Sequence, residues 1–259
     1  MSVAPEFLQQ LEASHIEEGI AVWMLGGPSV VIQTPQTLVY LDLFTGPSPE
    51  SELTKGTVDI VDPQAIRRID AIFCTHHDPD HCHRESLAPL LANTEALLVG
   101  PRSCMKLFRE WGFVMARTVE MQAHEALQLK DLRIWAMPCN DYFDEAAVSY
   151  VFQSGGVTLF DGGDTLYYSG YIELGRRFSI DVALLNFARN PPGQIYYMNH
   201  AHVARTAQEL GARVLIPKHY DLWEEFRDDP APLVEMLEPA GISVEILGQG
   251  ERFAISRQS

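Results

Sequence analysis

The chain has 259 residues, 35 acidic residues against 19 lysines and arginines, and a formal net charge of −16 at pH 7. Apolar residues make up 46% of the sequence and charged residues 21%, which supports a folded core and excludes wholesale disorder. The negative charge argues against long nucleic acids or an anionic membrane as main partners. No apolar run reaches the roughly 18 residues that a membrane span needs.

The N-terminal segment and the cysteines indicate the same compartment. Residues 1–19 are polar and acidic, without the basic start and apolar core of a secretory signal. The four cysteines are widely spaced and form no C-x-x-C pair, which favours reduced thiols over a disulfide framework or a zinc ribbon. We therefore expect a cytoplasmic protein.

The first part of the chain is predicted to be mostly sheet. Its strand-like patterns cover residues 19–25, 29–33, 37–43, 69–75, 96–99, 114–120, 132–137, 147–153 and 157–160. Its predicted helices cover residues 63–68, 85–92 and 103–111.

After residue 164 helices and strands alternate. Predicted helices at residues 171–177, 201–210 and 231–240 precede predicted strands at residues 181–185, 213–216 and 243–247. Two β-rich halves with helices outside predict an α/β fold, a four-layer αββα sandwich, formed by residues 1–259 as one domain.

Polar clusters follow several of the predicted strands. Residues 74–83 hold four histidines and two aspartates directly after the short apolar run 70–73. Imidazoles and carboxylates crowded at the end of a stiff strand are what a divalent metal ion requires. Further candidate ligands follow other strands, namely Asp141, Asp161, Asp164 and His219. Each of these residues alone is weak evidence for a metal site. Because such residues recur at the ends of several strands, we predict a composite metal site at one edge of the sandwich.

These residues resemble the signature of the metallo-β-lactamase superfamily, in which H-x-H-x-D-H follows a strand and further ligands end later strands. Within the superfamily, the chain is similar to the branch of L-ascorbate-6-phosphate lactonases over about residues 19–230. The closest similarity lies in residues 61–71, 75–81, 180–184 and 216–223. The resemblance implies the metallo-β-lactamase fold.

The metal ligands that the resemblance implies are His76, Asp80, His81, Asp164 and His219. The second histidine of the motif falls on Asp78, and the mid-chain histidine of the superfamily falls near Asp141. We favour Asp78 as a ligand, because its i, i+2 spacing from His76 places both on one side of an extended segment. Rotation of His77 into the site is the alternative.

The expected reaction is metal-dependent hydrolysis of a sugar lactone or sugar-phosphate lactone by metal-bound hydroxide. Asp80 and His219 are the predicted catalytic residues, with Asp80 acting as both ligand and general base. The oxygen-rich ligand set suits manganese, with zinc as the alternative and one or two ions per subunit.

A small, anionic substrate requires local polar or basic groups. The predicted substrate-binding residues are Arg189, Lys218, Tyr220 and His202. Tyr220 is also a candidate for protonating the leaving group. The resemblance further implies a homo-oligomer.

Two other functions stay open at this point. The same fold and metal cluster suit a phosphodiesterase acting on a small, cyclic phosphodiester. The altered second position of the motif is the feature that favours a non-catalytic metal-binding sensor.

Overall fold

Two seven-stranded sheets organise the part of the chain that the computed structural model describes, residues 5–47 and 52–257. The first sheet has the order β14-β1-β2-β3-β4-β5-β6. Its strands are β1 (Ile20–Gly26), β2 (Ser29–Gln33), β3 (Leu38–Leu41), β4 (Ala71–Phe73), β5 (Leu97–Gly100), β6 (Thr118–Glu120) and β14 (Arg252–Ile255). Strands β3 to β6 run parallel, so their carboxyl ends lie at one edge.

The second sheet has the order β13-β12-β11-β10-β9-β8-β7. Its strands are β7 (Ala126–Leu129), β8 (Leu132–Pro138), β9 (Val148–Ser154), β10 (Val157–Asp161), β11 (Val182–Asn186), β12 (Val214–Lys218) and β13 (Ser243–Val244). β10, β11 and β12 are parallel, and β8 has the same direction because β9 is antiparallel to both β8 and β10. β13 is parallel to β12, so five strands of this sheet, β8 and β10 to β13, point to the same edge.

Alternation along the strands separates three apolar clusters. In β1, Val22 packs between the two sheets, whereas Trp23 packs on the outer face of the first sheet. The helices that cover the outer faces are α1 (Pro5–Ala13), α2 (Arg84–Asn93), α3 (Arg102–Glu110), α4 (Tyr171–Phe178), α5 (His200–Leu210) and α6 (Pro232–Leu237). α2 and α3 pack on the first sheet, and α4 and α5 pack on the second. The predicted αββα sandwich is confirmed.

Several predicted elements differ from the structure. The helix predicted at residues 63–68 is wrong, because Asp62 forms a turn there: its carboxylate accepts the Gln64 N–H and its carbonyl accepts the Ala65 N–H, each at 2.9 Å. Residues 114–117 precede β6 rather than joining it, and a 3-10 helix occupies Met115–Arg117. The strand predicted at residues 243–247 ends at Val244.

None of the described helices is long and apolar enough to cross a membrane.

Candidate metal centre

The polar segments after four strands meet at one edge of the sandwich. His76 and His81 follow β4 of the first sheet, whereas Asp141, Asp164 and His219 follow β8, β10 and β12 of the second. The Val148 N–H donates to the Thr75 carbonyl at 2.9 Å and links the two sheets at this edge. Parallel strand ends are thus the reason that residues far apart in sequence converge here.

We call His76, Asp80, His81, Asp164 and His219 the donor cluster. His81 Nε2 lies 3.4 Å from Asp164 Oδ1 and 3.9 Å from Asp80 Oδ2. His219 Nε2 lies 3.3 Å from Asp80 Oδ2 and 3.7 Å from Asp164 Oδ2. One ligand atom each of His76, His81 and Asp164 lies within 4.8 Å of the others. The two aspartates therefore stand between the histidines.

The structure places Asp78, and not His77, beside the donor cluster. Asp78 Oδ2 lies 3.7 Å from His76 Nε2, and Asp141 Oδ2 lies 3.9 Å from the same atom. The His77 ring is 41% exposed, and its Nδ1 is 2.8 Å from Asp144 Oδ2. This arrangement supports the prediction that Asp78, rather than His77, is the ligand.

Unpartnered buried nitrogens show that the cluster fits a cation. Among the described residues, His76 Nε2 and His81 Nε2 are buried and have no hydrogen-bond partner. The Thr75 hydroxyl donates to Asp42 Oδ2 at 2.8 Å and accepts from His76 Nδ1 at 2.9 Å, while His81 Nδ1 donates to Asp42 at 2.9 Å. Protons on both Nδ1 atoms leave both Nε2 lone pairs available to a metal ion.

The carboxylates control protonation of the cluster. Burial and the neighbouring His81 oppose a charge on His76, but Asp78, Asp164 and Asp141 outweigh them and raise the pKa of His76 to about 9. Burial opposes ionisation of Asp80, yet His81 and His219 lower its pKa below the usual value. Asp80 is therefore a carboxylate at neutral pH, and a metal ion competes with a proton for His76.

Two unusual backbone conformations hold the ligands. His219 has φ +73°, which a residue with a side chain rarely adopts, and its N–H donates to the Gly27 carbonyl at 3.0 Å. Gly163 has φ +60°, and a Cβ there would lie 3.1 Å from Cβ of Thr75. The Asp-Gly-Gly-Asp turn can therefore pack directly against the segment that carries His76.

Lys218, the predicted substrate-binding residue beside His219, lies in the interior of the protein, which disfavours its predicted contact with substrate. Its side chain is fully buried, its Nζ is 3.0 Å from Asp161 Oδ2, and it donates to the Pro28 carbonyl at 2.9 Å. Neighbouring residues of a strand point to opposite faces, which explains why Lys218 is buried although it precedes the candidate ligand His219. Asp161 is thereby the partner of a lysine rather than a member of the donor cluster.

The other three predicted substrate-binding residues have partners of their own. Arg189 is exposed and donates to the Glu225 carbonyl at 2.7 Å, and the Tyr220 ring packs against Phe187 at 5.5 Å. The His202 ring is stacked on Tyr167, with centroids 5.8 Å apart. Burial and the charges of Asp221, Asp229 and Glu251 raise the pKa of Tyr220 to about 12. The structure shows no contact of these three side chains with the donor cluster, and their roles stay predictions.

Sequence reasoning missed Asp42 and a group of aromatic residues next to candidate ligands. Asp42 directly follows β3, so the signal of an acid at a strand end was present, but the predicted strand 37–43 concealed it. The Tyr197 ring lies 5.3 Å from the His219 ring. Beyond it, Tyr142, Phe143 and Tyr196 form a cluster with ring centroids 4.8 to 5.0 Å apart. We call these three residues the aromatic rim.

Replacing Asp42 by asparagine is expected to weaken metal binding about 10- to 100-fold, since the amide cannot accept both His81 and Thr75 as the carboxylate does. Metal affinity measured by chelator competition tests this. Asp131→Asn is the matched control, because Asp131 also accepts two threonine hydroxyls but lies away from the cluster. Equal affinities for the two variants would contradict the role of Asp42.

Replacing Asp78 and His77 by alanine, one at a time, distinguishes the two alternative metal ligands. Asp78→Ala is expected to lower metal affinity at least about tenfold, whereas His77→Ala is expected to retain the full metal content, because His77 is directed at Asp144. Elemental analysis after dialysis measures both. Metal loss in the His77 variant alone would reverse the assignment.

Comparisons with known proteins identify the family of the chain. The family model described as "Beta-lactamase superfamily domain" matches residues 46–220. A protein of Escherichia fergusonii named "Probable L-ascorbate-6-phosphate lactonase UlaG" is 32% identical, over 86% of this chain and 75% of that protein. The resemblance noted in the sequence is confirmed.

Solved structures share the fold at lower identity. Igni18, a metallo hydrolase from Ignicoccus hospitalis, superposes with a TM-score of 0.74 and 19% identity, over 92% of this chain and 99% of that one. An isothiocyanate hydrolase from Delia radicum gut bacteria superposes with a TM-score of 0.74 and 19% identity, over 92% of this chain and 100% of that one. The chain belongs to the metallo-β-lactamase superfamily, and it is a metal-dependent hydrolase.

Proposed function

We propose that this chain is a lactonase that hydrolyses a sugar lactone or sugar-phosphate lactone. The observation that supports it is the position of the Asp80 carboxylate, whose Oδ2 lies 3.9 Å from His81 Nε2 and 3.3 Å from His219 Nε2 within the donor cluster. The similarity to proteins named as lactonases gives the substrate class.

His76, Asp78, Asp141 and Asp164 would hold one divalent ion, and Asp80, His81, Asp164 and His219 would hold a second. When bound, such an ion polarises a carbonyl oxygen and lowers the pKa of water from 15.7 to about 7. Asp80 Oδ2 would accept a proton from the attacking water, since the ionised carboxylate can act as a general base. The backbone N–H of His219 is hydrogen-bonded to the Gly27 carbonyl, which fixes this residue. Its ring in turn orients the Asp80 carboxylate.

The aromatic rim and Arg189 provide the substrate contacts that we propose. Phe143 N and Asp144 N donate to Asp141 Oδ1 at 2.7 and 2.6 Å, so the loop that bears part of the aromatic rim is fixed to a candidate ligand. Exposed aromatic rings can stack on the apolar face of a sugar ring. Arg189 is the proposed contact for a phosphate group.

Manganese is the ion that we favour, with zinc as the alternative, because aspartates supply most of the first ligand set. We also propose that residues 1–259 form one domain, since a single apolar cluster joins strands of both sheets. A homo-oligomer in the cytoplasm, acting in carbohydrate metabolism, is the proposed setting.

A substrate panel tests the proposed function. Sugar lactones, their phosphates and cyclic nucleotides are offered to protein loaded with manganese or zinc, and ring opening or phosphodiester cleavage is measured. We expect turnover of lactones alone, and a higher KM in Arg189→Gln for the phosphorylated lactones only. Cleavage of the cyclic nucleotides alone would favour the phosphodiesterase, and a protein that retains metal but turns over no compound of the panel would favour the sensor.

Asp80→Asn is expected to lower kcat for the best lactone about 10²- to 10⁴-fold, because an amide cannot accept the proton. Metal content is measured on the same sample and is expected to stay within a factor of two of the wild type, since the amide oxygen replaces a carboxylate oxygen. Unchanged kcat would show that Asp80 is not the base.

A further inference from the structure

Three cysteines come together behind the donor cluster. The Sγ atoms of Cys74, Cys82 and Cys104 all lie within 4.8 Å of one another, and the three residues are 0%, 2% and 0% exposed. Their sequence spacing gives no sign of this meeting. Cys74 follows β4, Cys82 follows the ligand His81, and Cys104 lies in the first turn of α3. We call these three residues the thiol cluster.

The spacing of the sulfurs suits a metal ion. A central ion with metal–sulfur bonds of about 2.3 Å holds three sulfurs roughly 4 Å apart. The three sulfur atoms of the thiol cluster would therefore need to move only slightly closer together to bind it. All three cysteines are free thiols.

We propose that Cys74, Cys82 and Cys104 bind one thiophilic d¹⁰ ion, such as Zn²⁺ or Cd²⁺, at a site separate from the hydrolytic centre. The ion replaces the thiol protons, which pass to solvent, and three thiolates with a divalent ion leave a net charge of −1. Ligand softness separates the two sites, because sulfur selects soft ions whereas the aspartates favour manganese.

The thiol cluster is also connected to the hydrolytic site through the backbone. Cys74 and Cys82 bracket residues 75–81, which carry His76, Asp80 and His81. The Cys82 N–H donates to the Asp78 carbonyl at 2.8 Å, and the Cys74 N–H donates to Val99 at 2.8 Å. An ion that joins Cys74 to Cys82 therefore fixes both ends of the ligand loop.

Cadmium titration of the full-length, manganese-loaded protein tests the proposal. The thiolate-to-cadmium charge-transfer absorption in the ultraviolet reports sulfur ligation alone, so Cd²⁺ at the aspartate and histidine ligands adds nothing to it. We expect a band that saturates at one equivalent in the wild type and in Cys139→Ser, which removes the fourth thiol. Cys104→Ser is expected to lose the band or to need at least about tenfold more Cd²⁺.

Three outcomes would overturn the proposal: no band in the wild type, an equal band in Cys104→Ser, or a band that appears only as the near-ultraviolet circular dichroism of the folded protein is lost. If Cys104→Ser does not fold, X-ray absorption of the wild-type cadmium complex replaces it. Three sulfur neighbours support the thiol cluster, and fewer than three contradict it.

Discussion

Replacing Asp164 by asparagine is expected to lower turnover at least about 10³-fold and to remove at least one metal ion per chain. Its two carboxylate oxygens face different histidines, with Oδ1 at 3.4 Å from His81 Nε2 and Oδ2 at 3.7 Å from His219 Nε2. An amide offers one oxygen instead of two, so it cannot serve both sides of the cluster. Loss of metal assistance is worth several kcal/mol of transition-state stabilisation, which corresponds to about this factor.

Lactone hydrolysis and metal content are measured on the same Asp164→Asn sample, with Asp70→Asn as the control. Asp70 lies before β4, at the opposite end of the strand from His76, where it accepts the Leu38 N–H. The control is expected to keep its turnover and its metal. Full metal content together with wild-type turnover in Asp164→Asn would contradict a bridging role.

Lys218→Met is expected to lower the free energy of unfolding by about 3–5 kcal/mol, because it leaves the buried Asp161 carboxylate without its cation. Both side chains of this pair are fully buried, and the ammonium also loses its bond to the Pro28 carbonyl. Urea unfolding of samples with matched metal content measures the loss. Lys130→Met is the surface control, since Lys130 is 49% exposed and its pair with Asp70 is expected to contribute at most about 1 kcal/mol.

The loss in Lys218→Met is expected to depend on pH. Burial already raises the pKa of Asp161, although Lys218 opposes the rise. A carboxyl whose pKa is higher in the folded state destabilises the fold above that pKa, and the penalty disappears as the pH falls through it. The free energy of unfolding of Lys218→Met is therefore expected to lie further below that of the wild type at pH 8 than at pH 5. Asp161→Asn combined with Lys218→Met should recover part of the loss at pH 8, and no recovery would show that the unpaired charge is not its cause.

Strand-end patterns predicted most of the candidate site, because parallel strands place their carboxyl ends at one edge. The pattern was least informative where a polar residue sits within an apolar run. Asp42 was missed for this reason, although it contacts both His81 and Thr75. The strands β7 and β14 were missed because their hydrophobic pattern is weak. β7 is stabilised by pairing with β8, and β14 by pairing with β1.

The layered α/β fold, the family and the concentration of ligands around residues 74–83 could be predicted from the sequence, because periodicity and motif spacing are local properties. The directions of the side chains could not be predicted in this way, because they depend on tertiary contacts. In the folded protein, His77 contacts Asp144 and Asp78 contacts His76. Lys218 is buried and paired with Asp161. The fold also brings three distant cysteines together. These outcomes depend on contacts between strands and helices far apart in the chain, which residue spacing alone does not encode.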